Sequence, residues 1–213
     1  MVKIAAISDT HTQHYDVLIP QCDLLIHSGD FSYVGKMLDV LELNRWFGNL
    51  KQSGLVKEIV MVAGNHDWIC ETNPSWVKES FTNCIYLDEE SAEVMGIKVF
   101  GSAITPEFNS WAFNRYRGEE IARNWSKIPE DTELLITHGP PFGILDKLED
   151  GTPVGCEELL KRVQKLPKLK LHCFGHIHGD YGRYTDPSGK LFINAAICNE
   201  QYQPVNSPQI IDL

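Results

Sequence analysis

Short apolar runs, each closed by a polar or glycine-containing turn, set the rhythm of this chain. Residues 2–7, 24–27, 58–63, 134–137 and 169–174 are too brief and too rich in Val, Ile and Leu for helices, and read as strands. Residues 37–50 carry apolar side chains at helical spacing, with Met37, Leu41, Phe47 and Leu50 placed on one face and Gly54 as the stop. Residues 74–81 predict a short helix capped by Asn73 and begun by Pro74. Further strands fall at 84–87, 92–94 and 98–101, with Met95-Gly96 turning between the last two. Helices follow at 119–126 and 156–165. A hairpin joins 181–184 to 191–194 across Asp186-Pro187-Ser188-Gly189, and 209–213 reads as a last edge strand. Two loops stand out: 103–116, with Phe108, Trp111, Phe113 and Tyr116, and the Pro- and Gly-rich 139–155. The order is βαβ-like first and strand-rich later. That predicts an α/β (α+β) protein with two packed mixed sheets and helices outside, as one domain over residues 1–213.

The residues that close the strands carry the chemistry. Asp9 with His11, Asp30, Asn65 with His66 and Asp67, His138, and His176 with His178 each follow an apolar run. The last pair, at i and i+2, projects to one side if its backbone is extended, and Gly175 and Gly179 bracket it. Open α/β sheets place sites beyond the carboxyl ends of their strands, so neighbouring strands would bring the clusters together. A lone strand-end Asp is ordinary turn chemistry, but turn chemistry does not call for histidine repeatedly. Asp9, His11, Asp30, Asn65, His138, His176 and His178 are too many ligands for one tetrahedral ion with an open position. They suit two divalent ions roughly 3.5–4 Å apart sharing a carboxylate. No cysteine occupies a ligand slot, so the donor set favours Mn, Fe or Zn.

Composition narrows the partners. The 213 residues carry a formal charge of −10 with no basic run, which opposes stable binding to nucleic acid or to an anionic membrane. A dinuclear metal centre would be a local positive spot in this acidic chain, where a phosphate would bind. The six cysteines lack C-x-x-C spacing and read as reduced intracellular thiols. The first apolar run reaches Asp9 too soon for a signal peptide, and no run approaches a membrane span; the expectation is a cytoplasmic protein.

The motifs D-x-H at Asp9/His11, G-D at Gly29/Asp30, G-N-H-D at Gly64 to Asp67, a strand-end His138 and G-H-x-H at Gly175 to His178 resemble the calcineurin-like metallophosphoesterases, in that family's order. Thr137-His138-Gly139-Pro140-Pro141 with Gly143-Ile144-Leu145-Asp146 is similar to the small metallophosphoesterase-domain-containing (239AB-type) members, which are linked to phosphodiester and cyclic-nucleotide hydrolysis. The resemblance implies a four-layer αββα sandwich. It implies one metal on Asp9, His11, Asp30 and His178, and another on Asp30, Asn65, His138 and His176, with Asp30 bridging. It further implies a bridging hydroxide as nucleophile and His66, oriented by Asp67, serving the leaving oxygen. The Ser/Thr phosphatase branch carries an arginine within G-D-x-x-D-R-G; here Gly29-Asp30-Phe31-Ser32-Tyr33-Val34-Gly35 has none. This favours a phosphodiesterase acting on small substrates such as cyclic nucleotides. A phosphomonoesterase of another branch and a non-enzymatic scaffold or nucleotide-binding module are the alternatives. Trp111, Phe113 and Tyr116 either stack a nucleobase or pack over the second sheet. Asn114, Arg115 and Arg117 either meet phosphate or are solvated. Cys70 reads as structural, His14 as a surface residue, His172 as a strand residue, and His27 as buried or supporting the site.

Overall fold

The computed structural model describes residues 1–213. Four parallel strands, β1 (Lys3–Ile7), β2 (Cys22–His27), β3 (Val56–Met61) and β4 (Ile85–Tyr86), form one sheet; the C-terminal strand, Gln209–Asp212, adds antiparallel to the free edge of β1. The second sheet holds β5 (Glu90–Val94) and β6 (Ile97–Ser102), then a parallel core of β6, β9 (Leu134–Thr137), β10 (Leu171–Phe174) and β12 (Leu191–Asn194), edged by β11 (Gly182–Thr185). Between them the chain forms a small parallel pair, β7 (Thr105–Pro106) with β8 (Asn114–Arg115). Ile4, Ala6, Leu24 and Ile26 of the first sheet meet Val99, Ile136, Cys173 and Ile193 of the second in one buried cluster. The alternate positions, Ala5, Ile7, Leu25, Leu135 and Phe174, belong to the larger cluster that also takes in the helices. Burial on both faces is why these strands read as continuous apolar runs.

Helices α1 (Met37–Gln52), α2 (Trp68–Thr72) and α3 (Pro74–Ser80) serve the first sheet; α4 (Glu119–Trp125) and α5 (Glu157–Gln164) cover the second. Two mixed sheets flanked by helices match the expected layering. Several details differ. The buried face of α1 is Val40, Leu43, Trp46, Phe47 and Leu50, while Met37 and Leu41 are 49% and 46% exposed. At about 100° per residue Leu41 lies opposite Leu50, so the four expected positions never shared a face. Asn73 makes no side-chain cap, although Pro74 does open α3. The short α2 and the β7–β8 pair went unpredicted, being too short to show periodicity. His14 is buried rather than surface-exposed, its ring 5.2 Å from that of Trp46. Five of the six cysteines are buried, Cys70 among them. No helix is long and apolar enough to cross a membrane.

Candidate metal centre

The carboxyl ends of β1, β2, β3, β9 and β10 point to one place, and the loops after them deliver all seven expected ligands there. Asp9, His11 and His178 bring donor atoms within 4.8 Å of one another; Asp30, His138 and His176 do the same alongside. Asn65 Oδ1 lies 2.9 Å from His138 Nε2, at the second group. Asp9, His11, Asp30 and His176 all sit at left-handed φ, between 41° and 69°. Such residues cost on the order of 1–3 kcal/mol each and persist where the surroundings hold them. Here strand-end bonds do so: Asp9 N–H donates to Gly29 O, and His11 N–H to Asp30 O. The turn at His176 also means that the G-H-x-H pair is not extended as expected. The two rings split, one to each cluster, and the His176 N–H donates to both Asp9 carboxylate oxygens at 3.1 and 3.0 Å.

Glycine makes the close approach possible. A Cβ on Gly175 would lie 2.0 Å from Asp9 Oδ2, and one on Gly64 would lie 2.3 Å from Asp30 Oδ1. The glycines of two motifs are thus the space into which the two carboxylates fit.

Main-chain carbonyls fix the imidazoles. Nδ1–H donates to Ser32 O in His11, to Ser28 O in His138 and to Asn199 O in His178. A carbonyl can only accept, so each ring turns an Nε2 lone pair inward. His11 Nε2 and His178 Nε2 then stand 3.3 Å apart, and His138 Nε2 stands 3.3 Å from Asp30 Oδ2. Converging acceptors need a cation between them. Donor atoms about 2.0–2.1 Å from one tetrahedral ion lie roughly 3.3–3.4 Å from each other, so the donor set fits a divalent metal. Protons fill the role otherwise. Burial alone would lower the His138 pKa, but the Asp30 charge lifts it to about 9. Asp9 raises His178 in the same way, against burial. Burial works against ionised Asp9 and Asp30, yet His178 and His138 respectively hold both carboxyls well below the usual range.

Residues 2–180 match the family model described as calcineurin-like phosphoesterase. The chain belongs to that family. Human metallophosphoesterase domain-containing protein 1 is 36% identical over 99% of this chain and 71% of its own length. A UPF0046 protein of Caenorhabditis elegans is 35% identical over 100% of this chain and 81% of its own. The solved structure of a novel archaeal phosphodiesterase superposes with a TM-score of 0.49 at 18% identity, over 92% of this chain and 84% of that one. The two His/Asp clusters are those typical of the family's dinuclear site.

The surroundings were only partly foreseen. His66 lines the cleft, and its Nδ1–H donates to Tyr33 O at 2.8 Å. Asp67 does not touch that ring, contrary to expectation. Its carboxylate accepts from the N–H groups of Phe31, Ser32 and Gly64 and from the Ser32 hydroxyl, tying the loop after β2 to the loop after β3. Burial and then the Asp30 charge push this carboxyl up to about 8, against pull from Ser32 and Gly64. His27 supports the site through Thr10 Oγ1 at 3.0 Å, and His172 is bonded to Thr137 Oγ1 inside the sandwich. Of the aromatic loop, Trp111 lies 4.3 Å from the His66 ring, Phe113 is buried and Tyr116 is exposed. Asn114 organises the loop itself, Arg115 reaches Glu71, and Arg117 is held by Glu157 and two carbonyls. Tyr33, Glu200 and Tyr202 also meet the site, with the Tyr202 ring 4.7 Å from that of His11. Glu200 and Tyr202 belong to no motif and end no core strand, and Tyr33 stands where the G-D-x-x-D-R-G motif has its second Asp, so no sequence signal marked them.

Proposed function

We propose that this chain is a metal-dependent phosphodiesterase acting on small substrates, cyclic nucleotides among them. The observation that carries the reading is the charge of the cleft. The 250 Å³ recess over the ligands is lined by Asp30 and Glu200 but by no lysine or arginine. Val34, half exposed, stands where the phosphatase branch has its arginine. A phosphodiester carries one negative charge, whereas a monoester dianion carries two and would meet Glu200 with no lysine or arginine to offset the extra charge. In this reading Asp9, His11 and His178 would hold one divalent ion and Asn65, His138 and His176 a second, with Asp30 available to both. The ions, when bound, supply Lewis-acid activation of water and neutralise phosphoryl charge. His66, anchored through Nδ1, presents Nε2 to the cleft, where in its protonated form it donates to the leaving oxygen. Asp67 is a positioning residue for the Asp30 and Asn65 loops. Trp111 and Tyr202 offer faces on which a nucleobase can stack, worth about 1–3 kcal/mol per base.

The test is hydrolysis of bis(p-nitrophenyl) phosphate against p-nitrophenyl phosphate by chelated protein to which manganese is restored. Faster, metal-dependent diester turnover is expected. Faster monoester turnover would overturn the diester assignment. No turnover of either with two metals bound would overturn the hydrolase reading.

A further inference from the structure

The cleft over the ligands does not end there. A second cavity of 370 Å³ opens beside it, between the 103–116 and 139–155 loops, and the two share Phe108, Leu148, His176 and Ile177 as walls. Small-molecule sites usually measure roughly 300–1,000 Å³, so the metal recess alone is small and the joined space is of ordinary size. The second chamber has a different chemistry from the first. Pro106, Phe108, Pro140, Leu148 and Val154 give it flat apolar walls. Its one cation, Arg117, is tied to its neighbours: the guanidinium donates to Gly155 O at 2.8 Å, to Val154 O at 2.7 Å and to Glu157. Glu107 lies at the same wall and accepts from Ser110 N–H at 3.3 Å. Glu157 and Glu107 offset that single positive charge, so the chamber favours an uncharged group over a second phosphate or a carboxylate.

The dividing residue is fixed in place. Asn114 Oδ1 accepts from Phe108 N–H at 3.2 Å and from Trp111 N–H at 3.0 Å, and Asn109 and Ser110 between them take left-handed φ of 48° and 55°. One carboxamide therefore sets both rings, Trp111 over His66 and Phe108 beside His176 at 5.1 Å. Leu148, 42% exposed, stands at the mouth of both spaces.

We propose that this chamber is a second subsite, which seats the uncharged, flat apolar ester group of a phosphodiester while its phosphate lies over the metal ligands. The inference deepens the phosphodiesterase reading and rests on it for the place of the phosphate. Binding tests it without turnover. Manganese-loaded protein is titrated by calorimetry with phenyl methylphosphonate and with ethyl methylphosphonate, monoanions that differ only in the ester group. The phenyl ester should bind at least tenfold tighter. Val154→Trp, which fills the chamber, should erase that preference and leave ethyl-ester affinity within twofold. Val154→Ser, which trims a wall of the chamber that the metal recess does not share, should weaken the phenyl ester at least threefold and the ethyl ester by less than twofold. Equal affinity for the two esters, no binding of either, or a parallel loss of both in the variants would overturn the proposal. The two readings fail separately. Phenyl preference without diester hydrolysis would refute the hydrolase alone, and diester hydrolysis without phenyl preference would refute the chamber alone.

Discussion

His11 and His178 face one another with their Nε2 atoms 3.3 Å apart, although 167 residues separate them along the chain. Each ring is tied back through Nδ1 to a carbonyl, so neither can turn its lone pair away. Removing either should therefore cost a metal. His11→Ala or His178→Ala should lower bound manganese from two per chain to one, with affinity at that position down at least about 100-fold, read by elemental analysis after dialysis. Metal must also displace protons. His138, raised to about 9 by Asp30, is protonated at pH 7 without metal, so apparent affinity should climb with pH until about 9.

His66 lies in the cleft but outside both donor groups. His66→Ala should reduce kcat by about 10²–10⁴-fold while both metals stay bound. Full activity in that variant would remove His66 from the reaction.

Asp67 accepts four hydrogen bonds from the loops it joins. At pH 9, where the carboxyl is ionised, Asp67→Asn puts an amide N–H₂ against those donors and should cost on the order of 3 kcal/mol in urea unfolding, with weakened metal binding. A loss confined to kcat would restore the catalytic role expected from the sequence.

Gly175→Ala would drive a methyl group into Asp9 Oδ2, 2.0 Å away, with Ser8 Oγ at 2.2 Å. Both neighbours are buried and cannot swing aside. The variant should lose about 1–3 kcal/mol of stability and, with Asp9 displaced, one metal.

His14 packs against Trp46 with no hydrogen-bond partner for either ring nitrogen. Burial lowers its pKa to about 4, so the folded protein holds it neutral while the unfolded chain protonates near 6.5. The unfolded state thus binds more protons between those values, and the stability contribution present above pH 6.5 is lost as pH falls toward 4. His14→Phe should add about 1 kcal/mol at pH 7.5. Its advantage should widen below pH 6.5 by up to about 1.4 kcal/mol per pH unit, read by urea unfolding at both pH values.

The strand-end motifs, the two-sheet layering and the seven candidate ligands that converge were legible in the sequence because each depends on local pattern. A strand buried on both faces must be apolar throughout, and the Asp, Asn and His that follow these strands can each offer an oxygen or nitrogen to a cation. Even so, local pattern misplaced Met37 and Leu41, whose helix turns them to solvent, and His14, which only Trp46 on another element could bury. The family resemblance gave Asp67 to His66, whereas the folded chain gives Asp67 to the N–H groups of Phe31, Ser32 and Gly64. The sequence by itself determined which side chains can hold metal. Only the tertiary structure decided that the chain turns at His176 to part the two rings, that Tyr33 carbonyl aims His66, and that Phe108 stands between two chambers. The reason is physical: ligand identity is a property of one residue, but the direction of a lone pair and the shape of a cavity arise from contacts between segments far apart in the chain.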